Sequence, residues 1–209
     1  MTLFRFLRSL WVAVVLLLTA CANQPPERAD NICHIFEEYP RWYDHARRAE
    51  QRWGTPIPVQ IAFVHQESGF RHNVRPPREY RFGFIPRRRP SSAYGYAQAI
   101  TPAWSDYQEA TGRHNARRTN MAHALDFIGW YNDVSHRRLG IPPYDAERLY
   151  LAYHEGHTGY ARGAYRSKPQ VQRVAQRVNE RAQRYSAQLE ECERRFRCRR
   201  FYQFWPFCR

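Results

Sequence analysis

The chain has 209 residues, of which 43% are apolar and 15% aromatic, so one domain with a sizeable core is within reach. Its formal net charge of +14 is almost wholly arginine, since Lys168 is the sole lysine, and such a surface suits an anionic polymer. Nucleic acid is the reflex partner, but an export signal at the head of the chain argues against it. That compartment offers anionic lipid headgroups or the carboxylates of cell-wall peptides instead.

Residues Met1–Arg8 carry Arg5 and Arg8 and no acid, and an unbroken apolar run follows from Leu10 to Leu18. The run is too short to span a bilayer and leads into Thr19-Ala20-Cys21, which predicts a signal peptide over residues 1–20. Leu18-Thr19-Ala20-Cys21 resembles a bacterial lipobox, which implies a lipidated Cys21 as the first mature residue and membrane attachment through it. Ala22 and Asn23 are not the acidic pair that retains lipoproteins in the inner membrane. The expected location is the periplasmic face of the outer membrane. Cys33, Cys192, Cys198 and Cys208 remain, an even number that predicts two disulfides in an exported chain, with three pairings open. The most economical is Cys33–Cys192 with Cys198–Cys208. A zinc site lacks the CxxC pairs it favours, so no metal is expected.

Residues 21–40, with Pro25-Pro26, read as the lipidated terminus and a polar linker. Trp42, Ala46, Ala49 and Trp53 predict a helix over 41–53 that Gly54 ends. Thr55-Pro56 reads as the next start, with Thr55 as the capping hydroxyl, and Ile57, Ile61, Val64 and Ser68 share one face before Gly69. Residues 71–92, rich in arginine and proline, lack a helical period and read as a long surface loop. Thr101-Pro102 opens a helix to Gly112. Asn120 caps a longer one ending at Gly140, with Met121, Ala124, Leu125, Ile128 and Tyr131 buried. Asp145 caps the next, with Leu149, Ala152 and Tyr153 inward. A stripe of Val171, Val174, Val178, Ala182, Tyr185, Leu189 and Cys192 closes the series. No segment alternates long enough to be a strand. The predicted fold is all-α, with its body over 41–190 and a Cys-rich basic and aromatic tail over 191–209.

Glu67 lies in the last turn of the second helix, with Phe63 and Val64 one turn back and Phe70 following. An apolar collar disfavours the charged carboxylate and raises its pKa, as a general acid requires; the plain alternative is a solvated helix-end glutamate. Two further stretches interrupt the helical patterns. In Ser92-Ala93-Tyr94-Gly95-Tyr96-Ala97-Gln98-Ala99, small residues allow close backbone approach and Gln98 supplies a polar group. In Tyr150-Leu151-Ala152-Tyr153-His154-Glu155-Gly156-His157, Tyr153 does so.

Together with Glu67 these stretches form an ordered triplet that resembles the lytic transglycosylases of the soluble-lytic, goose-lysozyme-like type. That family carries Glu-Ser-Gly, Gly-Leu-Met-Gln and Ala-Tyr-Asn in this order on an all-α lysozyme-like domain. Glu67-Ser68-Gly69 matches the first, which implies Glu67 as the catalytic acid and Ser68 as its supporting hydroxyl. Gly95-Tyr96-Ala97-Gln98 matches the second at Gly95 and Gln98, with Tyr96 and Ala97 where the family places an apolar pair against the sugar. Ala152-Tyr153-His154 matches the third except for asparagine, and implies Tyr153 as the residue that positions the acid, with His154 beside it. The resemblance covers residues 42–165.

It implies non-hydrolytic cleavage of peptidoglycan glycan strands between N-acetylmuramic acid and N-acetylglucosamine, with Glu67 as the single acid and base and no cofactor. Phe70, Tyr94, Tyr96 and Tyr153 are the expected walls of a dry cleft. Glu155 keeps a hydrolytic muramidase open as an alternative with two carboxylates. A non-catalytic wall-binding lipoprotein is the other. His154-Glu155-Gly156-His157 does not make a zinc protease, because the i+4 position is Thr158. His65 and His123 read as ordinary imidazoles. The loop from Arg71 to Pro90, falling between the acid and the second motif, is expected to border the cleft and to clamp peptide carboxylates through Arg87, Arg88 and Arg89.

Overall fold

The computed structural model describes residues 24–82 and 84–197. These form helices α1 (Ile32–Glu38), α2 (Pro40–Trp53), α3 (Ile57–Ser68), α4 (Thr101–Thr111), α5 (Met121–Leu139), α6 (Ala146–Ala161) and α7 (Pro169–Arg197). A 3₁₀ turn at Ala164–Ser167 precedes α7, and the two-residue strands β1 (Tyr80–Arg81) and β2 (Ile85–Pro86) pair antiparallel inside the long loop. The fold is all-α, as the sequence predicts.

The predicted starts of α5 and α6 hold for the physical reason anticipated, whereas α6 runs past the expected close at His157 to Ala161, across a non-helical Gly156. The Asn120 side chain accepts a hydrogen bond from the His123 amide at 3.3 Å, and Asp145 accepts one from Arg148 at 3.0 Å, each satisfying a donor of the first turn. Thr55 differs from expectation. It does not cap α3, and its buried hydroxyl has no partner among the described residues. The first amide of α3, that of Ile57, donates instead to Glu50 of α2 at 2.9 Å.

Three other expectations are corrected. The segment read as linker contains α1, whose Ile32, Ile35 and Phe36 are fully buried, so the domain begins about ten residues earlier than the helical period of α2 suggested. The helix α3 is not amphipathic: every residue from Ile57 to Val64 is buried, because α2, α5 and α7 surround it. The helix α7 runs past residue 190 to Arg197, and its buried Phe196 packs on Phe36 and Tyr43.

Close packing of α2 on α5 depends on Gly129, where an added Cβ would lie 2.8 Å from the Trp53 ring. Beside it the buried Asp126 accepts from the Trp53 indole at 3.0 Å and from the Tyr107 hydroxyl at 2.6 Å, tying α2, α4 and α5. Cys33 of α1 and Cys192 of α7 form the expected disulfide, with 6.1 Å between their Cα atoms. The signal segment, Cys21 and the pairing expected between Cys198 and Cys208 lie outside the described residues.

Candidate active site

Glu67 sits at the C-terminal end of α3, where Gly69 takes a left-handed conformation and stops the helix. Phe63, one turn earlier on the same helix, lays its ring edge-on against both Tyr150 and Tyr153 of α6, each with 5.4 Å between centroids. Burial among these groups pushes the Glu67 carboxyl up to about 7, only partly countered by a hydrogen bond from the Tyr150 hydroxyl. The expectation of a collared, proton-retaining glutamate agrees with this environment.

The carboxyl opens onto a cavity of about 490 Å³. Gln98, Tyr153, His154, Glu155 and Gly156 line it from the two other motifs, so the structure brings together three stretches far apart in sequence. Phe127 and Tyr131 of α5, whose rings meet Tyr153, also line it, as do Ser91, Ala93, Ala99, Ile100 and Ala103.

Several expected positions fall elsewhere. The Ser68 hydroxyl donates to the Val64 carbonyl at 3.0 Å, and the residue is buried, so it stabilises the end of α3 instead of facing the cavity. Tyr96 is buried against Trp42, and Phe70 is fully buried between Trp42 and His65. Tyr94 lies beneath the Arg75 guanidinium, outside the cavity. Of the four expected aromatic walls only Tyr153 lines it. Its hydroxyl donates to the Ala97 carbonyl at 2.5 Å, so Tyr153 anchors the second motif, and the hydrogen bond to Glu67 comes from Tyr150.

Gly95 does not line the cavity but makes its wall possible. It has φ of +80°, and a Cβ there would lie 2.1 Å from the Arg118 carbonyl oxygen. The tight turn that results, closed by a Tyr94–Ala99 bridge, places Gln98 also at positive φ. The Gln98 side-chain amide donates to the Val74 and Gly95 carbonyls at 2.9 and 2.8 Å, which leaves its oxygen as an acceptor at the cavity.

Glu155 occupies the opposite electrostatic state. Lys168 reaches its two oxygens at 3.0 and 2.7 Å and His154 approaches at 3.1 Å, and the Lys168 contact holds its pKa below the ordinary range. One cavity therefore holds a proton-retaining and an ionised carboxyl group. Of the loop arginines, Arg75 and Arg89 line a second, smaller pocket that shares Ser91 and Ala93 with the cavity, whereas Arg87 and Arg88 are exposed outside both.

Sequence reasoning missed Tyr150, although it stands three residues before Tyr153 and so on the same helical face. Tyr131 is buried as the sequence predicts, but its place at the cavity was not foreseen. That residue stacks on His157 at 4.3 Å between centroids and meets Tyr153 at 5.0 Å, and only the packing of α5 on α6 turns it to the cavity.

Residues 9–192 match the family described as Transglycosylase SLT domain. No curated protein matches the chain. With that match over most of its length and an all-α architecture carrying the ordered motifs, the chain belongs to the transglycosylase SLT domain family, a lytic-transglycosylase-type group that degrades peptidoglycan.

Proposed function

We propose that the protein cleaves the glycosidic bond between N-acetylmuramic acid and N-acetylglucosamine without water, leaving 1,6-anhydromuramic ends. The observation that carries this reading is the Glu67 carboxyl, half-buried at the cavity with its pKa raised to about 7 and held by Tyr150. Such a group keeps its proton near neutral pH and can give it up as a leaving oxygen develops charge. Glu67 protonates the glycosidic oxygen, the bond from the muramic anomeric carbon to that oxygen breaks, and the glucosamine unit leaves as an alcohol. The positive charge at the anomeric carbon is shared with the substrate's own acetamido group. The Glu67 carboxylate then takes the proton of the muramic 6-hydroxyl, whose oxygen bonds to the anomeric carbon and closes the anhydro ring. The carboxyl group is regenerated, and the two products together have the atoms of the substrate. The Gln98 oxygen accepts a hydrogen bond from a sugar hydroxyl or amide, and Tyr153 acts as a positioning residue by fixing the turn that carries Gln98.

One observation favours a second reading. Glu155 lines the same cavity as an ionised carboxylate, so a hydrolytic muramidase would have a base for water. Its doubly bonded Lys168 makes it a weak base, which favours the first reading. Mass spectrometry of soluble products from purified sacculi separates the two, since anhydro ends are one water lighter than reducing ends. Reducing ends, with equal loss of activity in Glu67→Gln and Glu155→Gln, would establish hydrolysis.

The lipobox-like Leu18-Thr19-Ala20-Cys21 supports a lipid anchor at Cys21 on the periplasmic face of the outer membrane. Metabolic labelling with palmitate should mark the wild-type chain and not Cys21→Ser, and labelling of both would refute the anchor.

A further inference from the structure

Beside the catalytic cavity lies a pocket of about 210 Å³ lined by Arg75, Arg89, Arg118, Tyr94, Thr101 and the serines Ser91 and Ser92. No aspartate or glutamate lines it, and none of its arginines forms an ion pair among the described residues. Elsewhere on the surface Arg137, Arg148, Arg195 and Arg197 each have a carboxylate partner. Three uncompensated cations around one concavity repel one another, and an anion between them removes that repulsion.

The guanidinium groups are held in place, not left to search. Arg118 donates through Nη1 to the Ser92 and Ala99 carbonyls at 2.9 Å each and approaches the Thr101 hydroxyl at 3.4 Å through Nη2. Arg75 lies 4.0 Å over the Tyr94 ring, with Arg118 at 5.8 Å from the same centroid. Arg89 donates to the Pro76 carbonyl. Preorganised planar forks of this kind suit carboxylates, because less side-chain freedom is lost on binding.

Position selects the source of the carboxylate. The pocket shares Ser91 and Ala93 with the catalytic cavity, so a ligand in one continues along the wall of the other. We propose that the Arg75–Arg89–Arg118 pocket binds a free carboxylate of the peptide stems borne by the glycan strand seated in the catalytic cavity. This rests on the cavity being the glycan site. It makes the protein selective for peptide-bearing strands and reassigns the carboxylate clamp from Arg87 and Arg88 to Arg75 and Arg118.

The test measures binding separately from cleavage. The full-length protein in detergent is co-sedimented with intact sacculi and with sacculi whose stem peptides have been removed by an amidase. Wild-type protein should bind peptide-bearing sacculi about five- to tenfold more tightly than stripped ones, the scale of one or two partly exposed ion pairs. Arg75→Gln and Arg75→Gln/Arg89→Gln should bring that ratio progressively toward one. Raising ionic strength from about 0.1 M to about 1 M, where the screening length shortens from about 10 Å to about 3 Å, should lower the ratio most for the wild type and progressively less for the single and double variants. Equal wild-type binding to both sacculi, or a parallel loss on both in the variants, overturns the proposal. So does loss of binding to phosphatidylglycerol vesicles in the variants with peptide-dependent binding intact, which would assign the pocket to lipid phosphate. Product analysis on the same samples tests the cleavage reaction, so peptide-dependent binding without anhydro products would overturn the reaction and leave this pocket standing.

Discussion

The Tyr150 hydroxyl of α6 hydrogen-bonds the Glu67 carboxyl of α3, and it is the one side-chain group opposing the rise in that carboxyl's pKa. A hydroxyl donor favours the ionised form, so its removal leaves desolvation unopposed. In Tyr150→Phe the basic limb of the pH–rate profile should move upward from about 7, with kcat reduced about tenfold because the carboxylate that forms as Glu67 gives up its proton loses its donor. A reduced rate with an unmoved profile would mean that Tyr150 serves packing alone.

Glu67→Gln should lower the release of muropeptides by about 10²–10⁴-fold, the range for loss of a general acid. The same substitution should change stability with a definite sign. Between the ordinary carboxyl pKa of 4.5 and the folded value of about 7, the native state binds a proton that the unfolded chain does not, so wild-type stability falls as pH rises through this window. The variant has no such group. Its stability should match the wild type at low pH and exceed it by about 1–3 kcal/mol above neutrality, as read by urea denaturation across pH.

His65 should produce the opposite slope. Burial first, then the nearby Arg181 and Arg184, push its pKa down from 6.5 to about 4 while its Nδ1 bonds the Tyr185 hydroxyl at 2.8 Å. Its contribution is complete above 6.5 and is lost as pH falls toward 4, because the unfolded chain then binds the proton. In the Glu67→Gln background, where the compensating carboxyl is gone, acidification through that window should therefore destabilise the protein. Flat stability in that variant would show that His65 titrates normally.

Two glycines should respond differently to alanine. Gly95→Ala combines a φ of +80° with a Cβ 2.1 Å from the Arg118 carbonyl oxygen, so the turn must move. It should cost more than about 2 kcal/mol and weaken substrate binding through Gln98. Gly69→Ala, with φ of +55° and nothing within 4 Å, should cost only about 1 kcal/mol. Thermal melts of the two variants check the order.

The Cys33–Cys192 disulfide closes a separation of 159 residues, for which chain entropy assigns about 5 kcal/mol. Reduction should lower the melting temperature strongly. A melt insensitive to reductant would show that packing of α1 on α7 suffices without the bond.

The starts of α5 and α6 and the ends of α4 and α5 are legible in the sequence because local chemistry sets them: Asn120 and Asp145 satisfy first-turn amides, and Gly112 and Gly140 accept the left-handed conformation. Glu67 and its apolar collar are equally local, since Phe63 lies one turn away on the same helix. The disulfide partner of Cys33 follows from economy among the cysteines. The short α1 carries no long period; Asn31 caps it by accepting from the Cys33 and His34 amides, and its apolar residues are buried where it packs on α7. Whether Tyr150 or Tyr153 meets Glu67 could not be read from a helical face that holds both; the rotation of α6 against α3 decides it. The aromatic residues Phe70 and Tyr96 look like cleft walls in sequence but fill the core beside Trp42, because an aromatic side chain has the same pattern in either place. Basic character is evident from composition. Which arginines face one pocket without a carboxylate is set by contacts among the long loop, Thr101 and Arg118, residues that only the tertiary fold brings together.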